Sequence, residues 1–303
     1  GKVNLLDLEF PDEFLQNFKG PKFGIPGIRE ILGVYDRPLL NNMIKPCTGL
    51  SPEKTAELAY EAAVGGVDII KDDELVSDPP HCPLEERVKA VMAAVKKADE
   101  VKGEKTLYAF NITDRLDKMK EHAYRAIELG ANCLMINFAT VGLDTARIIA
   151  EDPNINVPIL AHSDYVGAST ACEWCGTSTK LMNAKLPRMA GLDMVIALSP
   201  YGKFPMLMDT FLDCGYAMTV PMGNLKPIFA MPGGGTTQGH IEDIIHKFGK
   251  DVIIAAGGAI HGHPMGPAAG AKAFRQGIDA VCKGQSLADA GKEHEELGMA
   301  LDL

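Results

Sequence analysis

Eight short apolar runs recur along this chain, at residues 40–44, 67–70, 107–110, 133–138, 158–161, 194–198, 227–231 and 252–256. After each comes a polar or glycine-rich stretch, then in most cases a helical period. A strand with one wet face alternates apolar and polar residues. These runs do not alternate, so both faces are expected to be covered, as in a parallel sheet flanked by helices. Eight strand–helix units of this size match the roughly 250 residues of a closed (β/α)8 TIM barrel. An open doubly wound sheet is the alternative, but no GxGxxG follows the first run and there is no P-loop.

The intervening segments carry helix signals. Ser51 is an N-cap with Pro52 at the first helical position, and Gly65-Gly66 ends a helix whose Ala59, Ala62 and Ala63 share a face. Leu116, Met119, Ala123, Ala126 and Ile127 follow helical spacing up to Gly130, as do Phe274, Ile278, Val281 and Cys282 after Pro267. The unit between Met194 and Pro227 is interrupted by Pro200, Gly202 and Pro205. Residues 1–37 show no clear period and read as a lead-in to a barrel at 38–303, with Phe23-Gly24-Ile25-Pro26-Gly27 as an ordered loop.

Charge narrows the function classes. Forty acidic and 30 basic residues leave a formal net charge of −10. That argues against a broad nucleic-acid surface or a polybasic membrane anchor, while leaving room for a small positive pocket. No apolar run reaches the ~18 residues of a membrane helix, and the first residues do not read as a signal or transit peptide. Seven cysteines, odd in number and scattered, point to reduced thiols and a cytoplasmic location.

In a barrel, chemistry sits at the C-terminal strand ends. Lys71-Asp72-Asp73-Glu74 follows the second run directly. Side chains alternate along a strand, so Lys71 and Asp73 are expected to point one way and Asp72 the other. Two carboxylates there suit a hard cation such as Mg2+. The lysine could neutralise them, act as a base of lowered pKa, or capture CO2 as a carbamate and become an oxygen ligand. The bland reading is a solvated charge run. Lys45 ends the first strand and could move a proton at a substrate oxygen; a salt bridge to Asp73 or Glu74 is the plainer role. His162 ends the fifth strand, as a ligand, an acid–base group or a hydrogen-bonded structural residue. Asn111 and Asn137 hold similar positions after strands three and four. Glycine clusters at 233–235 and 257–258 follow the last two strands, where barrels commonly bind phosphate through backbone N–H groups. Lys203 could add a charge there. His261-Gly262-His263 precedes Pro264 and reads as a structural loop. Cys172 and Cys175 have CxxC spacing without a second pair, which argues against zinc. The sequon at Asn111 lies at a strand end and is discounted.

The stretch Gly65-Gly66-Val67-Asp68-Ile69-Ile70-Lys71-Asp72-Asp73-Glu74 resembles the metal-site motif of the RuBisCO large subunit. Ile44-Lys45-Pro46, Gly257-Gly258 and His261-Gly262-His263-Pro264 fit the same family, in order, over nearly the whole chain. The resemblance implies a carbamylated Lys71, with Asp73 and Glu74 as the other Mg2+ ligands. It makes Lys45 the lysine that handles protons at the substrate enol and His162 a substrate contact. Lys203 would belong to a mobile loop, and Gly234, Gly257 and Gly258 to the phosphate site. It also implies an N-terminal domain, absent from this sequence, that completes the site of a neighbouring subunit, and so a homodimer or dimer-based oligomer.

The departures matter as much. The carboxylase's second lysine, two residues beyond the first, is Cys47, which with Asn111 would line the substrate. The arginine after the fifth-strand histidine is Ser163, a further histidine is Val166, and the sixth-strand histidine is Ile196. Losing such groups removes charge-assisted hydrogen bonds of about 1.5–3 kcal/mol each. The chain therefore resembles a RuBisCO-like (form IV) protein rather than a CO2-fixing carboxylase, with a substrate bearing one phosphate. Tautomerisation, isomerisation or decarboxylation through an enediolate is expected. Methionine-salvage enolase chemistry, on 2,3-diketo-5-methylthiopentyl-1-phosphate, is one named alternative, although residues 44–50 look less like the enolase form of that loop. A non-catalytic sugar-phosphate-binding barrel and a Schiff-base aldolase are the other classes.

Overall fold

The computed structural model describes residues 2–202 and 206–302. All eight apolar runs form strands: β1 (Leu39–Met43), β2 (Ile69–Lys71), β3 (Leu107–Asn111), β4 (Cys133–Asn137), β5 (Ile159–His162), β6 (Met194–Leu198), β7 (Phe229–Gly233) and β8 (Ile253–Ala256). Consecutive strands pair in parallel from β1 to β7, and β8 pairs with β1, Ile253 opposite Leu39. A parallel bridge between Ala230 and Val252 joins β7 to β8 and closes the ring. The chain is a TIM barrel.

Two apolar layers follow from strand alternation. Leu39, Ile69, Met135, Met194, Phe229 and Ile253 point into the barrel. Leu40, Ile70, Phe110, Ile136 and Ile254 point outward against helices such as Pro52–Val64 and Leu84–Lys102. Burying each such side chain contributes about 1.5–3 kcal/mol. The Ser51 side chain accepts from Lys54 N at 3.3 Å, the expected N-cap. Gly65 marks where the helix Pro52–Val64 meets Pro267–Cys282. A Cβ there would lie 2.3 Å from the Ala268 carbonyl oxygen, so only glycine permits the approach.

One expectation is corrected below the barrel. Phe23 to Gly27 is not a loop but the start of the helix Gly24–Leu32, whose Ile25, Ile28 and Leu32 plug the floor. Gly24 and Pro26, poor helix formers, mask its helical period. What sets the helix start is distant: the Asp193 carboxylate accepts Phe23 N and Gly24 N, both at 2.8 Å, and Ile159 N at 2.9 Å. The unit after β6 does contain a helix, Met208–Thr219. Lys203 lies outside the described residues. No helix among the described residues is long and apolar enough to cross a membrane.

Candidate active site

Lys71 is the last residue of β2, and it points into the barrel mouth with its side chain wholly buried. Its Nζ donates to the Asp72 carbonyl at 2.7 Å and to Glu74 Oε2 at 3.2 Å. His162, ending β5, brings Nε2 to 3.2 Å from the same Glu74 oxygen. Asp164 N–H donates to His162 Nδ1 at 3.1 Å, which places the ring proton on Nε2, facing Glu74. Asp73 Oδ2 is 3.0 Å from Lys45 Nζ, which also lies 3.0 Å from Cys47 Sγ. Two contact sets therefore lie side by side at the mouth, Cys47–Lys45–Asp73 and Lys71–Glu74–His162.

Electrostatics separates the two lysines. Burial drives the Lys71 ammonium toward the neutral amine, against the attraction of Glu74 and Asp73. Burial also opposes charge on Lys45, but its hydrogen bonds to Cys47 and Asp73 prevail and hold its pKa above the ordinary value. Glu74 is held below the usual carboxylate range despite the cost of burial, chiefly by His162 and Lys71.

Asp72 does point the other way. It accepts from Arg87 Nε at 3.1 Å, the Tyr108 hydroxyl at 2.7 Å and Asn111 N at 2.9 Å. Arg87 in turn donates to the Cys82 and Ser77 carbonyls, both at 2.6 Å. This buried network anchors the chain behind the mouth. Asn111 is buried as well. Its Nδ2 donates to the Glu74 carbonyl at 3.0 Å, as does Asn137 Nδ2, while its Oδ1 accepts from Thr113. The two amides hold the backbone of Glu74 from beneath. Arg87, Tyr108 and Thr113 were not singled out from sequence; the outward alternation of Asp72 is the signal that could have led to them.

The glycines take the expected places. Gly234 follows β7 with φ +93°, and a Cβ on Gly202 would collide with its carbonyl. A Cβ on Gly257 would lie 3.1 Å from Lys45 Cε, whereas Gly258 faces open space. His263 is structural: its ring meets the Glu296 carbonyl at 3.0 Å and accepts Met265 N–H. His261 lies nearer the site. Its Nε2 is 3.1 Å from Asn42 Oδ1, and burial, with Lys45 adding to it, pulls its pKa to about 4.

Among the described residues, no group of three or more His, Cys, Asp or Glu side chains converges as a metal site. A divalent cation at this mouth needs a ligand of another type. Lys71 fits, because a buried amine kept toward neutrality, beside two carboxylates on neighbouring residues, is the form that combines with CO2 and yields an oxygen donor.

The family model described as "Ribulose bisphosphate carboxylase large chain, catalytic domain" matches residues 24–303. A ribulose bisphosphate carboxylase-like protein of Archaeoglobus fulgidus is 52% identical over 295 residues, which cover 97% of this chain and 67% of that protein. A 2,3-diketo-5-methylthiopentyl-1-phosphate enolase of Geobacillus thermodenitrificans is 43% identical over 302 residues, covering 100% of this chain and 73% of that enzyme. Among solved structures, a rubisco-like protein from Alicyclobacillus acidocaldarius matches with a TM-score of 0.95 at 36% identity, over 100% of this chain and 75% of that one.

Proposed function

This chain belongs to the RuBisCO large-chain family, among its RuBisCO-like (form IV) members, and we propose that it is a Mg2+-dependent enzyme that enolises a phosphorylated keto-sugar or related monophosphate. The observation that carries the reading is the placement of two lysines at one barrel mouth, Lys71 wholly buried with its Nζ on Glu74 and Lys45 with its Nζ 3.0 Å from Asp73. The buried amine is the one that can take up CO2, and the charged lysine beside it is the one that can give a proton.

Lys71, once carbamylated, with Asp73 and Glu74, would hold Mg2+. When bound, the ion polarises a substrate carbonyl and stabilises negative charge on its oxygen. A base takes the α-proton, and Lys45, which keeps a proton on Nζ, manages the substrate oxygen or returns a proton to carbon. His162 directs its Nε2 proton at Glu74, so it orients that carboxylate and offers its ring edge to the substrate. Asn111 and Asn137 fix the Glu74 backbone and with it the position of the carboxylate. The loops at Gly234, Gly257 and Gly258, with Lys203, take the single phosphate. Where a bisphosphate enzyme would place cationic or imidazole groups, this chain has Ser163, a buried Val166 and an interior Ile196. The proposal includes a homodimer or dimer-based oligomer in the cytoplasm, completed by an N-terminal domain.

The similarity to a 2,3-diketo-5-methylthiopentyl-1-phosphate enolase supports including that diketone among the substrates tested. The test is deuterium exchange α to the carbonyl across phosphorylated ketoses and that diketone, with and without Mg2+ and bicarbonate. The expected result is exchange that requires both additives, resists borohydride and adds no CO2 to ribulose bisphosphate. Carboxylation of ribulose bisphosphate, or exchange indifferent to EDTA, would overturn the proposal. If Lys71→Ala retains ligand binding and the wild type shows no exchange, the barrel is a binder.

A further inference from the structure

One motif takes no part in this chemistry. Cys172 and Cys175 sit in the loop that runs from His162 to the short strand Gly176–Thr177. Both thiols are free and exposed, and their Sγ atoms lie 3.7 Å apart. A disulfide requires about 2.05 Å, so the sulfurs already lie within about 2 Å of bonding distance.

The turn that brings them together is anchored in its middle and just after Cys175. Gly176 N donates to the Val3 carbonyl at 3.2 Å, and Ser178 N to Leu5 at 2.9 Å, so the loop is stitched to the strand Asn4–Leu5. Asn4 Nδ2 holds the Glu173 carbonyl at 3.0 Å, between the two cysteines. Gly176 has φ +142°, and a Cβ there would lie 2.2 Å from the Ser169 carbonyl oxygen, so the residue after Cys175 must be glycine. Lys2 Nζ lies 4.3 Å from the centre of the Trp174 ring. The two sulfurs are inequivalent. Backbone N–H groups of Trp174 and Cys175 point at Cys172 Sγ and pull its pKa down, while Cys172 pushes Cys175 up. By contrast, Cys282, the comparison thiol, is pushed up by burial.

We propose that Cys172 and Cys175 form a reactive dithiol that exchanges with low-molecular-weight disulfides and closes into an internal disulfide. The Cys172 thiolate attacks one sulfur of the oxidant. The oxidant's S–S bond breaks, one half leaves as thiolate, and a mixed disulfide forms on Cys172. The Cys175 thiolate then attacks Cys172 Sγ and expels the second half. The protein loses two electrons and two protons, and the oxidant is reduced to two thiols. A low-pKa attacking thiol with a resolving neighbour is the arrangement this exchange needs.

The experiment exposes the protein to oxidised glutathione without oxygen, alkylates at timed intervals and reads each cysteine by peptide mass spectrometry. In the wild type, the peptide containing both residues should lose two hydrogens, carry no adduct and recover with dithiothreitol. Cys175→Ser should stop at a glutathione adduct on Cys172. Cys172→Ser should react about tenfold more slowly at this loop. The proposal is overturned if Cys172 reacts no faster than Cys282, or if the wild type collects separate adducts on both loop cysteines. Both substitutions are at exposed positions, and far-UV circular dichroism confirms that each variant folds.

Discussion

Buried carboxylates occur at both ends of this barrel, and they are satisfied in opposite ways. At the floor, Asp68 takes Arg37 through two hydrogen bonds, at 2.7 and 2.8 Å, and accepts Leu40 N at 2.8 Å. Asp193 accepts three backbone N–H groups. These partners belong to the fold and cannot leave without unfolding part of it. At the mouth, Asp73 and Glu74 are held by the tips of Lys45, Lys71 and His162, side chains that can turn to another ligand. The floor spends its ionic groups on position, whereas the mouth keeps them exchangeable.

Mutations can break this contrast. The largest effect is expected from Lys71→Met: α-proton exchange should fall about a thousandfold, measured by NMR, with the melting temperature close to wild type. If exchange persists, the mouth is ordinary surface. At the floor the pattern should reverse. Arg37→Met leaves the Asp68 carboxylate buried without its partner and should cost about 3–5 kcal/mol in urea denaturation, with Mg2+-dependent exchange retained below the new transition. Asp193→Asn turns an amide N–H against backbone donors and should cost about 2 kcal/mol. Hydrogen exchange would then show the helix Gly24–Leu32 opening first.

The smallest effect sharpens the comparison by pH. His261 is ordinarily protonated below 6.5, and burial in the folded state moves that to about 4. Between those values the unfolded chain binds more protons than the folded one, so stability falls as the pH drops through the window. The loss should reach about 1–2 kcal/mol, since the ring is only partly buried. His261→Gln should flatten the slope of denaturation midpoint against pH there; an unchanged slope would assign the acid sensitivity elsewhere.

The eight strands were legible because runs such as Leu107 to Phe110 are apolar on both faces, a pattern that length and glycine punctuation resolve. Alternation alone turned Asp72 away from Lys71 and Asp73, as the contacts to Arg87 and Tyr108 bear out. The plug helix is not legible because its determinant, Asp193, sits just before β6, far along the chain. The same holds for the link between His162 and Glu74. Each residue stood out at its own strand end, but nothing local pairs them; the ring of parallel strands does. Lys71, Asp73 and Glu74 could be read together because they are neighbours in sequence.

The most direct measurement is a 13C NMR spectrum of the protein with 13C-bicarbonate and Mg2+. The account calls for one slowly exchanging carbamate resonance that appears with both additives and is missing from Lys71→Arg. Mg2+ bound with no such resonance, or a resonance that survives in Lys71→Arg, would contradict it.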